Sequence, residues 1–118
     1  MKIKERVKLN TDDKKIYEKL SLIDKVTLKI IQVGVNKTNF KILKMVPTDV
    51  DNIMKETGLS KVPVNVRLNE LEKVGLITRF RGTGKISMTE FGKKFMKIIH
   101  DEENMIRGRL EETIENII

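Results

Sequence analysis

Two glycines and the apolar residues around them constrain this chain more than anything else in it. Residues 48–89 read TDVDNIMKETGLSKVPVNVRLNELEKVGLITRFRGTGKISMT. Thr48 precedes Asp51 by three residues, and Asp49 sits where a helix dipole is positive, so a helix is expected to start here with Thr48 as its cap. Val50, Ile53 and Met54 would face inward. Gly58 is placed to take a positive φ after that helix, the usual way a helix ends. Leu59 follows as a core residue, and Ser60 is the expected cap of a second helix over about 60–74. Pro63 fits its first turn, where a missing N–H costs little. Val64, Leu68 and Leu71, spaced four and three, make its buried stripe. Gly75 then ends this helix as Gly58 ended the last. Strands are expected at 76–80 and 85–88, with Arg81-Gly82-Thr83-Gly84 as the tip of a hairpin.

The flanks are read by the same periodicity. Residues 1–10 show no clear period. A short amphipathic helix is expected over 11–20, with Ile16, Tyr17 and Leu20 on one side. Ser21 with Asp24 resembles a capping box, and Leu22, Ile23, Val26, Ile30 and Val33 then fall at helical spacing. Val26, Leu28 and Ile30 also alternate as in a strand, but the length of the run favours helix. Residues 34–37 break the pattern. Asn36 or Thr38 can cap the next helix, 39–46, which would bury Phe40, Leu43 and Val46 before Pro47 ends it. After the hairpin, Thr89 opens a helix carrying Phe91, Phe95, Ile98 and Ile99. It either continues to the end or breaks near Asp101.

Charge follows this organisation. The net charge is +7 over 118 residues. Residues 37–97 hold thirteen Lys/Arg against six Asp/Glu, residues 98–118 two against six, and residues 1–36 nine against five. The positive excess therefore overlaps the helix–turn–helix–hairpin segment, and a positive surface attracts a polyanion. A chain without alanine and rich in Ile and Lys also looks basic through composition alone.

Fixing Val64, Leu68 and Leu71 inward fixes what the second helix of the pair shows outward. Lys61, Val62, Asn65, Val66, Asn69 and Arg67 form that set. In a helix-turn-helix this helix enters the major groove of double-stranded DNA. There Asn pairs with adenine, Arg or Lys with guanine, and valine touches the thymine methyl. Ser60 stands beside free N–H groups suited to a phosphate. The hairpin brings Arg79, Arg81 and Lys85, with Arg79 and Arg81 on one strand face. Arginines of this kind suit the backbone or a narrow minor groove.

The motifs LSKVPVNVRLNELEKVGLI and KISMTEFG carry a resemblance over about residues 38–97. Leu68, Leu71, Glu72, Lys73, Gly75, Leu76 and Ile77 match the "LxxLEKxGLI" end of a recognition helix. The stretch resembles winged helix-turn-helix transcription regulators of the broad MarR and ArsR type, particularly small single-domain archaeal ones. A fainter likeness is to euryarchaeal regulators of archaellum operons. The resemblance implies a mainly α fold with a small β-hairpin (α+β), a winged helix-turn-helix with extra N- and C-terminal helices. The divisions expected are an N-terminal helical arm (1–37), the DNA-binding domain (38–97) and a C-terminal helix (98–118). It implies DNA contacts from Ser60, Lys61, Val62, Asn65, Val66, Arg67, Asn69, Lys73, Arg79, Arg81 and Lys85. The chain departs from ArsR metal sensors in having no cysteine and from longer MarR proteins in its short N-terminal arm.

Ile99, Ile106, Leu110, Thr113 and Ile117 are spaced seven, four, three and four, a heptad-like stripe interrupted at Glu103. It either packs on its own domain or joins two copies, and a homodimer is the expectation, joined by the apolar helix 22–33. No catalytic set is visible, so the chain is not expected to be an enzyme. His100 is the sole histidine, which rules out multi-histidine sites. With Asp101, Glu102 and Glu103 it reads as a solvated acidic helix segment. No cofactor motif and no small-molecule effector site is evident. Lacking eighteen consecutive apolar residues and a secretory h-region, the chain is expected to be cytoplasmic, without a membrane span. A protein–protein adaptor and an RNA-binding winged helix remain the alternatives.

Overall fold

The computed structural model describes residues 11–117. The order is α1 (Thr11–Val35), α2 (Lys37–Met45), β1 (Thr48–Asp49), α3 (Val50–Thr57), α4 (Lys61–Lys73), β2 (Ile77–Phe80), β3 (Lys85–Met88) and α5 (Glu90–Ile117). The fold is mainly helical with one small antiparallel sheet, as an α+β reading requires. The chain divides into two compact units, the first ending at Gln32 and the second beginning at Val33. The expected stretch 1–10 lies outside the described residues.

Helix α1 is one uninterrupted helix where two were expected. Ser21 and Asp24 lie inside it. A capping-box pair ends a helix only if the chain before it leaves helical geometry, and nothing in 11–20 forces that. Ile16, Tyr17, Leu20, Leu22, Ile23 and Val26 are all about half exposed or more.

The second unit holds the core. Its fully buried aliphatic side chains are Ile42 and Leu43 of α2, Ile53 of α3, Val64, Leu68 and Leu71 of α4, and Leu76, Ile77 and Ile86 around the sheet. Each large aliphatic side chain buried this way contributes roughly 1.5–3 kcal/mol from leaving water. The predicted stripe of α4 is therefore the stripe that packs. On α2 the buried face differs from expectation. Leu43 is buried as expected, but its companions are Asn39 and Ile42, while Phe40 and Val46 are only half-buried. Lys44 Nζ lies 4.4 Å from the centroid of the Phe40 ring and covers part of it. Of the α3 trio, Ile53 is buried and Val50 and Met54 are half-buried.

Caps explain where the helices begin. Asn36 rather than Thr38 caps α2, accepting from the N–H groups of Thr38 and Asn39. Asp49 rather than Thr48 caps α3, since Asn52 N donates to Asp49 Oδ1 at 2.7 Å. Thr48 is in a strand that the sequence did not announce. Strand β1 pairs antiparallel with β3, Thr48 opposite Ile86, giving the sheet order β1-β3-β2. Ser60 holds the N-cap position of α4 with extended backbone, but its side chain makes no capping bond.

Gly58 ends α3 at φ 73° and Gly75 follows α4 at φ 84°. At the second site Leu76 N donates to Leu71 O and Gly75 N to Glu72 O. That double closure turns the chain straight from α4 into β2. Strand β2 starts at Ile77, one residue later than expected, because Leu76 is used in this turn. The α5 helix runs from Glu90 to Ile117 without a break at Asp101.

Candidate nucleic-acid interface

Helix α4 is held with three faces distinguishable by burial. Val64, Leu68 and Leu71 point into the core. Val62, Val66, Asn69 and Lys73, spaced four, three and four, form the most outward line, all exposed. Val62 is 73% and Val66 49% exposed, well above what an aliphatic side chain meets in a core. Lys61 and Ser60 are exposed beside them at the N-terminal end.

A third line of α4 meets the hairpin. Arg79 of β2 lies opposite Ile86 of β3, on the sheet face that turns toward the core. From there its Nη2 donates to Asn65 Oδ1 at 2.7 Å and its Nη1 to Asn69 Oδ1 at 3.0 Å. One guanidinium thus bridges two asparagines a helical turn apart. At the hairpin tip, Arg81 Nη2 donates to Glu72 Oε1 at 3.2 Å, one turn further along α4. Arg81 is exposed and Glu72 partly so, and such a screened contact contributes little to stability. The tip itself closes through Gly84 N and Thr83 N, which both donate to Phe80 O.

The predicted residues fall into groups. Arg79 lies in β2 and Arg81 just past its end in the turn, and both are engaged by α4. Lys85 is paired with Phe80 across the hairpin, on the opposite sheet face from Arg79. It lines a separate groove with Pro47, Thr48 and Ser87. Arg67 turns to the other flank of α4, 3.5 Å from Glu70. Glu70 also accepts from buried Asn39 Nδ2, which in turn donates to Val33 O. Ser60, Lys61, Val62, Asn65, Val66, Asn69, Lys73, Arg79 and Arg81 therefore form one connected surface. Arg67 and Lys85 stand at its margins.

Sequence reasoning missed the acidic residues in this region. An open groove of about 420 Å³ between α3, α4 and the hairpin is lined by Asp49, Asp51, Lys61, Asn65, Arg79 and Arg81. The helix-cap pattern identified the two aspartates as residues of a helix start. Only the packing of α3 against α4 places them among the cations. Glu72 belongs to the recognition-helix motif, but its pairing with Arg81 depends on the hairpin folding back.

Among the described residues no group of three or more His, Asp or Glu side chains is placed to hold a metal. No described helix is long and apolar enough to cross a membrane. No protein-family model matches the chain, and no curated protein matches it.

Proposed function

We propose that this chain is a winged helix-turn-helix protein that binds double-stranded DNA as a homodimer and regulates transcription. In this reading α4 enters the major groove and the β2–β3 hairpin lies along the backbone or minor groove. The observation that carries it is the bridge from Arg79 to Asn65 and Asn69. It makes the exposed face of α4 and the basic hairpin one surface of fixed geometry, which a groove and its flanking phosphates can meet together. The positive excess of residues 37–97 supports the same partner through phosphate neutralisation.

Lys61, Lys73 and Arg81 supply charge at the two ends and the tip of that surface. Val62 and Val66 supply apolar contact, suited to thymine methyl groups. Exposed apolar residues on α5, among them Ile106, Leu110 and Ile117, support the dimer. The exposed valines are also what a protein–protein adaptor would use, which makes that the second reading.

Fluorescence anisotropy with random-sequence duplex DNA, matched duplex RNA and single strands, each titrated with salt, tests the proposal. Duplex DNA is expected to bind best, with an affinity that falls steeply and log-linearly as salt rises. Equal or tighter binding to structured RNA would sink it in favour of RNA recognition. Absence of any salt-dependent nucleic-acid binding would sink it in favour of the adaptor.

A further inference from the structure

A guanidinium has five donors and no acceptor, so the atoms that face Arg79 must be the side-chain oxygens of Asn65 and Asn69. Both bonds are short, 2.7 and 3.0 Å. Each asparagine is left with its Nδ2 amino group, and neither Nδ2 has a partner among the described residues. An asparagine reads adenine by using both ends at once, accepting from N6 and donating to N7. Here one lone pair of each accepting oxygen is held by Arg79, and the guanidinium charge beside it disfavours a second donor there. The free end offers N–H groups, which can meet N7 of either purine but are opposed by the N6 amino group of adenine and matched by O6 of guanine.

We infer that Arg79 is a specificity-determining residue that biases Asn65 and Asn69 toward donating, so that the bound duplex favours guanine over adenine opposite them. This rests on the DNA-binding reading above and sharpens it. It also reassigns Arg79, whose two bonding nitrogens are held on α4 and are not directed at a phosphate. A further consequence is that the two asparagines are fixed in rotamer before DNA arrives.

The test is selection of bound duplexes from a random pool by the full chain, with four variants run in parallel. Asn65→Ala and Asn69→Ala each erase preference at one position and so identify which base each residue meets. Wild type is expected to select guanine at those positions. Arg79→Met, which removes the guanidinium but keeps an unbranched stem, is expected to move the guanine-to-adenine ratio toward adenine by roughly ten-fold, the scale of one bidentate pair. Arg79→Lys, able to reach one asparagine at a time, keeps the question open if thermal melting shows Arg79→Met unfolded; its shift should appear at one position only.

Selection of adenine by wild type, absence of any preference at the asparagine positions, or an unchanged ratio in the folded Arg79 variants would overturn the inference while leaving DNA binding intact. Failure of wild type to bind any duplex in a salt-dependent way would remove the underlying reading, and the inference with it.

Discussion

Thr89 Oγ1 lies 2.6 Å from the carbonyl oxygen of Gly75, joining the start of α5 to the turn that leaves α4. The same hydroxyl accepts from Gly92 N at 2.9 Å as the cap of α5, and Thr89 N donates to Leu76 O at 3.1 Å. One threonine therefore satisfies both a helix start and a helix end. Thr89→Val, which keeps the shape and removes the hydroxyl, should destabilise the fold by about 1–2 kcal/mol, the usual cost of a lost cap. Thr89→Ser should recover most of that. Urea denaturation of the three proteins checks it through the midpoint at constant slope.

Glycines within α5 should respond in opposite directions to the same substitution. A Cβ on Gly92 would run into the carbonyl oxygen of Leu76 and lie 2.8 Å from Met88 Sδ. The obstacle on one side is backbone and cannot rotate away. Gly92→Ala is expected to cost about 1–3 kcal/mol or more. Gly108 lies in the same helix with nothing within 4 Å of its would-be Cβ. Gly108→Ala should stabilise by roughly 1 kcal/mol through helix propensity. Thermal melts of the two variants need only show opposite signs; a shared sign would contradict the close packing of Gly92.

The parts of this molecule that were readable from sequence are those set by local spacing. Val64, Leu68 and Leu71 announce the buried face of α4 because a helix repeats every 3.6 residues over a long enough run to be unambiguous. Gly58 and Gly75 announce their turns because few other residues take a positive φ. Strand β1 escaped because two residues are too few to alternate, and Thr48 looks like a cap whichever residue does the capping. The uninterrupted α1 escaped because Ser21 and Asp24 are acceptable inside a helix as well as before one. On the candidate surface, the outward positions of α4 followed from its inward ones. The bonds of Arg79 to Asn65 and Asn69 did not, since they span 14 and 10 residues and exist only once the hairpin packs on α4.

Charge at the hairpin tip is partly self-neutralised, and this yields a prediction about salt. Arg81 pairs with Glu72 at 3.2 Å, with the arginine side chain 71% exposed. A phosphate arriving at Arg81 competes with that carboxylate. Arg81→Ala should weaken binding to every duplex similarly and reduce the salt slope by about 1. Glu72→Gln removes the competitor and should tighten binding at low salt without changing sequence preference. Anisotropy titrations at several salt concentrations separate the two; a change in preference with either variant would place Arg81 on a base edge instead.

The exposed stripe of α5 makes the oligomeric state predictable. Ile106, Leu110 and Ile117 are each more than half exposed on a helix that runs unbroken to Ile117, and they keep the spacing of the heptad stripe. Two such stripes can cover each other, and a pair of α4 helices would then be available for two half-sites of a palindrome. The stripe is interrupted at Glu103 and spans fewer than three heptads, so the association should be concentration-dependent. Leu110→Glu puts a charge in the middle of the stripe, where burial without a partner is costly. It should lower the mass from dimer to monomer in sedimentation equilibrium at micromolar concentration. Glu112→Ala changes the helix on its opposite side and should leave the mass alone. DNA affinity should fall with the first variant and not with the second, because two half-sites are then met one at a time. A wild-type chain that sediments as a monomer throughout this range would end the dimer reading, and a Leu110→Glu chain that stays dimeric would move the interface away from α5.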